Sequence, residues 1–509
     1  MQVYRSFRIR QGKTARKCLE VMEHMLRYRI GHALDAVAAP LRRIFPHTRH
    51  DIDMVNGSIF SNVVRFSIPL ILSGMLQLLY NMADVVVVGQ FEDHNAVAAV
   101  GATSSLITLM VNLFIGLSVG TSVLVAQYIG AGKYREVQDT VHTSVTLSLV
   151  LGVVVGVFGL FMSRTFLEMM DTPAGAVLDG ASLYMRIYFL GLPGNMLYNF
   201  GAAVMRAVGD TKRPLYYLSL AGVINIVFNI ITVAFFGMGV AGVAIATIIS
   251  QYISAILVTL NLMRSQGSVH LDLKRLRIRK QMLGGILRVG LPAGLSSALF
   301  SISNVLIQSS INSFGANAIA GSTGASQLES FVYVSMNSIS QAALSFTGQN
   351  IGAQKYERVN KVMRICLLLV VAAGLFFGIL VTLFSEPLLH LFINADHDPT
   401  VIADVVRNGQ IRMRIICTMY FLDGAMEVLA SMLRGMGSSI APTLVTVVGI
   451  CGLRMLWIWT VFAANHTLDV LYLSYPISWT LTAIILGACY FYTHKKLMRN
   501  AQTPLPAAA

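Results

Sequence analysis

The stretch QYIGAGKYREV, residues 127–137, returns as QNIGAQKYERV at residues 349–359. A second pair of motifs follows in the same order: RAVGDTKRP at 206–214 is similar to RGMGSSIAP at 434–442. A period of roughly 220 residues is far longer than the about 20–50 residues of a solenoid unit. Because the repeated segments are strongly apolar, the sequence predicts a membrane transporter built from two like halves.

Apolar segments of transmembrane length recur along the chain. Charged residues make up only 12% of the sequence, against about 25% in soluble domains, and the mean hydropathy is +0.66. Each segment has the length of about 20 residues that a membrane-spanning helix needs, and none shows the alternation of a barrel strand. The predicted fold class is an all-α integral membrane protein with twelve transmembrane helices. Their centres lie near Leu76, Met110, Leu151, Met196, Val227, Thr247, Val305, Val334, Ala373, Ala425, Thr446 and Ile484.

The repeat predicts the domain organisation. An N-lobe at 56–263 and a C-lobe at 283–495 each hold six spans and are joined by a basic cytoplasmic linker at 264–282. Because six is even, the two lobes enter the membrane from the same side and are parallel repeats, with a cleft between them at mid-membrane. Rocking of the lobes would open that cleft to alternate sides of the membrane.

The chain ends are predicted to lie outside the lobes. Residues 1–55 form a basic extension without a signal-peptide core, and residues 496–509 form a tail. The extension is interpreted either as a basic amphipathic helix on the inner membrane surface or as a dispensable tail, with Met54 as an alternative start.

The net charge of +14 follows the pattern of a membrane protein and not that of a nucleic-acid-binding one. Lys and Arg concentrate in alternate connections, namely 133–135, 206–213, 264–280 and 355–364, whereas 91–95 and 315–318 contain none. This asymmetry predicts a multi-pass protein of the inner (plasma) membrane with both termini cytoplasmic. The expected partners are the lipid bilayer and small organic substrates, with no nucleic acid.

An acidic residue lies in the first predicted span. Asp84 follows Asn81 by three residues and Tyr80 by four, so the spacing places all three on one helix face. A charge at membrane depth is expensive, so Asp84 is predicted to exchange a proton or hold a cation. The alternative is a hydrated residue near the outer interface.

Neutral polar residues in the same half are candidate partners of that acid. Asn225 and Asn229 form an i, i+4 pair in the fifth span, and Thr247 lies in the sixth. They are interpreted either as oxygen ligands near Asp84 or as an interhelical hydrogen-bonded cluster.

The second half carries its own ionisable residues. Asp423 and Glu427 form an i, i+4 pair of carboxylates, which cannot both ionise cheaply without a proton or a cation. Arg454 is a candidate counter-ion for one of them, and the alternative is a static salt bridge between helices ten and eleven. Glu329 is interpreted either as a coupling site or as a structural hydrogen-bonding group.

No catalytic signature appears in the sequence. It lacks the GxSxG, HExxH and Walker-type motifs, and its cysteines show no metal or disulfide spacing. The chain is therefore not expected to be an enzyme or to need a cofactor or a metal, other than a proton or sodium as coupling ion.

Taken in order and in both halves, these motifs resemble those of bacterial multidrug and toxic compound extrusion (MATE) transporters. The likeness covers residues 56–495. It includes the P-x14-D-x4-G spacing of Pro69, Asp84 and Gly89, and the paired QxIGAxKY loops.

The resemblance implies a V-shaped pair of lobes that acts as a monomer and exports organic compounds, often cationic and apolar, against protons or sodium. It makes Asp84 the central coupling acid, Asp423 a C-lobe acid, and Asn225 and Thr247 polar positions of an N-lobe cation site. Asn229 departs from the pattern, since many relatives have Asp there. The seventh helix lacks the Glu found in some branches, so we expect Glu329 and Glu427 to supply that acidity.

Two alternatives to drug antiport remain from the sequence. One is a flippase for a lipid-linked precursor on a related two-lobe fold, which would need a cationic cleft. The other is a membrane-embedded enzyme or receptor.

The repeat is also broken where the ionisable residues lie. Asp84 aligns with Ile307, Asp423 with Asn195, and Glu427 with the polar helix residue Asn199. The two lobes are therefore predicted to share an architecture but to have different roles in transport.

Overall fold

Twelve long helices build the part of the chain that the computed structural model describes, residues 52–91, 94–170, 172–265, 267–392 and 398–502. The first six are α1 (Ile59–Phe91), α2 (His94–Gly130), α3 (Tyr134–Met169), α4 (Ala176–Val208), α5 (Lys212–Phe235) and α6 (Gly239–Arg264). The second six are α7 (Lys280–Asn312), α8 (Ala316–Gly352), α9 (Tyr356–Leu383), α10 (Pro399–Gly435), α11 (Ile440–Phe462) and α12 (Leu468–Gln502). Every predicted span falls within one of these helices, which confirms the twelve-helix fold.

Ten of the described helices are long and apolar enough to cross a membrane, and α4 and α8 are not among them. Both are lined with buried residues along most of their length. A helix that is covered by its neighbours needs less apolar surface than one that faces lipid, so polar side chains are tolerated there.

The helices group as two lobes, α1–α6 and α7–α12. Within the N-lobe, α4 packs against α2, α3 and α6; within the C-lobe, α10 packs against α8, α9 and α12. The main contacts between lobes join α2 to α7 and α8, and α1 to α8. The predicted residue boundaries of the domains remain predictions, and residues 1–51 lie outside the described part of the chain.

Glycines allow α2 and α7 to touch backbone to backbone. A Cβ added to Gly116 or Gly120 of α2 would collide with the backbone of α7 around Gly290 and Gly294. Both helices carry these glycines four residues apart, the spacing that permits close helix crossing in membranes. The crossing brings the backbones of the two lobes into direct contact.

The repeated loops meet each other at one end of the bundle, which we call the loop end. Gln127 donates a hydrogen bond from Nε2 to the carbonyl of Gly435 in the C-lobe, at 2.8 Å. Gln349 donates in the opposite direction to the carbonyl of Ala207 in the N-lobe, at 2.7 Å. A Cβ on Gly130 would collide with the Gln349 carbonyl, and one on Gly352 with the Gln127 carbonyl. The loop end is thus closed by contacts that obey the pseudo-two-fold symmetry.

The segment before α1, residues 52–57, lies across the loop end and is called the strap. Ile52 donates its backbone N–H to the carbonyl of Gly209 in the N-lobe at 3.4 Å. On the other side, Asn350 of the C-lobe donates to the carbonyl of Met54, and Lys355 donates to Asn56 at 2.7 Å. Met54 is fully buried. The strap therefore adds a second set of contacts between the lobes.

Asp53 organises the strap. Its carboxylate accepts hydrogen bonds from the backbone N–H groups of Val55 and Asn56, at 3.0 and 2.9 Å. Burial acts to raise the pKa of Asp53, but these hydrogen bonds and the charge of Arg358 outweigh it and hold the pKa below its ordinary value.

Candidate functional site

The N-lobe acid meets the predicted asparagines. Asn229 of α5 donates a hydrogen bond from Nδ2 to Oδ1 of Asp84 on α1, at 2.5 Å. The same amide nitrogen lies 3.3 Å from Oδ1 of Asn225. Both asparagines are buried, and Oδ1 of Asn229 has no hydrogen-bond partner among the described residues. A carboxylate and an unused amide oxygen in one buried cluster are groups that could receive a proton or a cation.

Tyr80 and Asp84 of α1 both contact α5. The Tyr80 hydroxyl donates to the carbonyl of Ser219 at 3.2 Å, and its ring packs where a Cβ on Gly222 would lie. Asn81 is exposed. The contacts therefore join Tyr80 and Asp84 to α5, and the shared helix face with Asn81 stays a prediction.

Thr247 is related to Asp84 through a tyrosine of α4. Its hydroxyl donates to the carbonyl of Val243 within α6 at 2.9 Å, and it lies beside the hydroxyl of Tyr184 on α4. Tyr184 is close enough to Asp84 to interact with it electrostatically, and its ring stacks on Tyr188 with centroids 6.4 Å apart. Sequence reasoning missed these two tyrosines, although their i, i+4 spacing on α4 was a usable signal.

The last turns of α5, Ile230–Phe235, are π-helical and begin directly after Asn229. In α11 the segments Val447–Gly452 and Ile458–Phe462 are π-helical as well, and they flank Arg454. Such turns are rare and are frequently found at functional sites. The matched helices of both lobes thus carry the same local distortion beside a polar residue.

Glu329 belongs to a closed ion pair. Arg412 of α10 donates from Nε and Nη2 to the two carboxylate oxygens of Glu329 of α8, at 2.7 and 2.8 Å. It also donates to the Ser322 hydroxyl at 2.7 Å, and its guanidinium lies over the ring of Tyr472. Of the two interpretations of Glu329, this geometry supports the structural one.

Sequence reasoning did not single out Arg412, which lies inside α10. The helix begins earlier, at Pro399, where Asp398 accepts a hydrogen bond from the Thr400 N–H. An Asp before a first-turn Pro is a recognisable helix-start signal.

The C-lobe carboxylates do not form the expected salt bridge with Arg454. Asp423 is buried and only 3% exposed, and Glu427 lies 4.0 Å from Arg434 on its own helix. No carboxylate of the described residues comes within 4.0 Å of Arg454, so the predicted static bridge between helices ten and eleven is absent there. At the matching position in the N-lobe, Asn199 donates to Asn195 at 3.0 Å, as a neutral i, i+4 pair.

The described residues contain no group of three or more His, Cys, Asp or Glu side chains that could hold a metal ion. The four described cysteines are free thiols.

A duplicated twelve-helix bundle with polar clusters inside each lobe defines a multi-pass membrane transporter of the two-repeat class. Residues 69–231 and 292–460 match the family profile described as MatE, and the chain belongs to this family. The match covers both lobes and spans the helices that hold Asp84 and Arg454.

Named relatives extend this result. The chain is 28% identical to the probable multidrug resistance protein YoeA of Bacillus subtilis (strain 168), over 86% of this chain and 95% of that protein. It is 27% identical to the probable multidrug resistance protein YpnP of the same organism, over 79% and 88%. A crystal structure of a MATE protein in complex with MaL6 superposes with a TM-score of 0.82 at 24% identity, over 89% of this chain and all of that one. This last likeness supports the fold.

Proposed function

We propose that this chain is a secondary active transporter that exports small organic compounds, often cationic and apolar, across the plasma membrane in exchange for protons or sodium. In this proposal the chain acts as a transporter and not as an enzyme. The names of the relatives support efflux of drugs, and the half-buried Asp84 with its two buried asparagine partners carries the proposal for this chain.

Asp84 supplies a reason for coupling. A carboxylate inside the bilayer is expensive as a free anion, so it is stable when it holds a proton, a metal cation or a cationic substrate. These partners compete for one buried site. Entry of the coupling ion from one side would therefore favour release of the substrate, which is the requirement for exchange.

The loop end supports an alternating-access cycle. The positive-inside pattern assigns this end to the cytoplasm, so the described conformation would be closed toward the cytoplasm. Opening on that side requires the reciprocal bonds of Gln127 and Gln349 and the strap contacts to break. The lobes would then rock about the glycine crossing of α2 and α7.

The test uses purified protein in liposomes, with proton and sodium gradients imposed separately and a fluorescent organic cation inside or outside. Asp84→Asn keeps the side-chain shape but removes the ionisable group, so we expect gradient-driven transport to be lost while the helical content is unchanged. The matched control is Asp179→Asn, which removes a carboxylate that is 67% exposed in the same lobe. Full gradient-driven transport by the Asp84→Asn protein would refute the coupling role.

A further inference from the structure

The two lobes place opposite charges at corresponding helix–helix contacts, between α1 and α5 in the N-lobe and between α7 and α11 in the C-lobe. In the N-lobe the carboxylate of Asp84 on α1 is held by the amide of Asn229 on α5. In the C-lobe the guanidinium of Arg454 on α11 is held by the amide of Asn304 on α7, with Nη1 and Oδ1 3.4 Å apart. The repeat aligns α1 with α7 and α5 with α11, so the architecture is shared and the polarity is reversed.

Aromatic rings surround the Arg454 side chain. The guanidinium carbon lies 4.0 Å from the ring centroid of Tyr475, and the rings of Phe300 and Trp479 are 5.6 and 5.8 Å away. Nε donates to the Ser478 hydroxyl at 3.2 Å. Arg454 is 1% exposed. Stacking on aromatic faces stabilises the cation and leaves the edge of the guanidinium to make hydrogen bonds.

Two donors in this aromatic cluster have no acceptor. Nη2 of Arg454 and Nε1 of Trp479 are buried and lack a hydrogen-bond partner among the described residues. Asp423 interacts with Arg454 only at longer range, beyond the 4.0 Å of an ion pair. Buried donors that stay unpaired are costly, and on a charged group more so. The cluster therefore fits a ligand group with two acceptor oxygens and a negative charge.

One residue of the Arg454 cluster reaches the protein surface. Asn304, which bonds Arg454, is itself exposed on α7. Asn304 therefore links the buried guanidinium to the exposed surface of α7. The π-helical segments on both sides of Arg454 show that α11 is already distorted at this position.

We propose that Arg454, with Nε1 of Trp479 and behind the gate of Asn304, binds the carboxylate of an amphoteric aromatic substrate. This inference rests on the proposed export function and assigns to Arg454 the recognition of carboxylate-bearing substrates. A compound with a basic amine and a carboxylate carries the two charges that Asp84 and Arg454 complement, and its rings match the aromatic cluster.

The test compares two dyes that differ by one methyl group, rhodamine B with a free carboxylate and its methyl ester. Gradient-driven transport of both is measured in liposomes that contain phosphatidylglycerol and in liposomes of phosphatidylcholine alone. For Arg454→Gln we expect the KM of the acid to rise about 10- to 100-fold, the worth of a charge-assisted hydrogen-bonded pair. The KM of the ester should stay within about twofold, because the ester has no charge to lose.

Two further variants separate charge from packing. Asn304→Ala breaks the contact between α7 and α11 but keeps the guanidinium, so it should keep the discrimination between acid and ester. Arg454→Lys keeps a charge without the planar fork and should weaken the acid alone, which preserves the test if Arg454→Gln does not fold.

Equal changes for acid and ester in the Arg454 variants would overturn the carboxylate site. So would loss of discrimination by Asn304→Ala, or an Arg454→Gln effect that vanishes in phosphatidylcholine, which would assign the guanidinium to a lipid headgroup. None of these results touches the export function, which wild-type transport of the ester tests separately.

Discussion

Removal of the reciprocal glutamine bonds should open the loop end. In the variant Gln127→Ala/Gln349→Ala, the carbonyls of Gly435 and Ala207 each lose a donor from the opposite lobe. In an open conformation the same glutamines would bond to water, so their loss weakens the closed state selectively.

The magnitude follows from the two bonds. Each hydrogen bond contributes about 0.5–1.5 kcal/mol net, so the pair contributes about 1–3 kcal/mol to closure. That free energy corresponds to a change of about 5- to 150-fold in the ratio of closed to open molecules. Because the two bonds are related by the pseudo-symmetry, each single variant should give about half of the free-energy change.

Distance measurements by double electron–electron resonance can detect this change. The natural cysteines are replaced, and spin labels are attached at the exposed positions 134 and 357, one in each lobe next to its repeated loop. We expect the double variant to gain a population at longer distance that the parent protein lacks.

The matched control is Gln308→Ala, whose side chain bonds to Asn312 on its own helix and not to the other lobe. An unchanged distance distribution in the double variant would refute the assignment of these glutamines to closure. An equal change in the control would do the same, because the effect would not be specific to contacts between lobes.

Three other perturbations test the packing. Glu329→Gln should destabilise the fold by about 3–5 kcal/mol, since it leaves the Arg412 charge buried without its partner. Thermal unfolding in detergent should show that the double variant Glu329→Gln/Arg412→Met regains the lost stability. Gly116→Ala should lower thermal stability by about 1–3 kcal/mol, because its Cβ would collide with the backbone at Gly294. Asp53→Asn should loosen the strap at neutral pH: the pKa of Asp53 is depressed in the fold, so its stabilisation is present above about pH 4, its unfolded value, and is lost as the pH falls through the folded value. The unfolding temperatures of parent and Asp53→Asn should therefore converge in acid, and a constant difference across pH would contradict this role.

The helices could be predicted because membrane burial imposes one simple rule on sequence. Each span needs a long apolar run, and the order of spans with the QxIGAxKY repeat defined two parallel lobes. The apolar run around Ala425 predicts the centre of α10, but it does not register the first turns from Pro399, because these carry charged residues. The pairing of Arg412 with Glu329 was hidden for the same reason.

The candidate site was only partly accessible to sequence reasoning. Helical spacing related Asp84 to Tyr80 and Asn225 to Asn229, but no local pattern shows which face of α1 meets α5. Partner choice across helices is a tertiary property. Arg454 demonstrates this, because nearby carboxylates suggested a salt bridge, whereas the fold places the guanidinium among aromatic rings of α12.

The reciprocal loop contacts have a consequence for how the chain is assembled. Loop one binds the helix end of half two, and loop two binds the helix end of half one, which is the self-complementary pattern of an isologous dimer. In such an interface each contact occurs twice, so a single half presents both a donor loop and an acceptor helix end. The two halves expressed as separate polypeptides therefore keep all the groups that form these loop contacts. The covalent linker keeps the halves close together but is not needed for them to recognise each other.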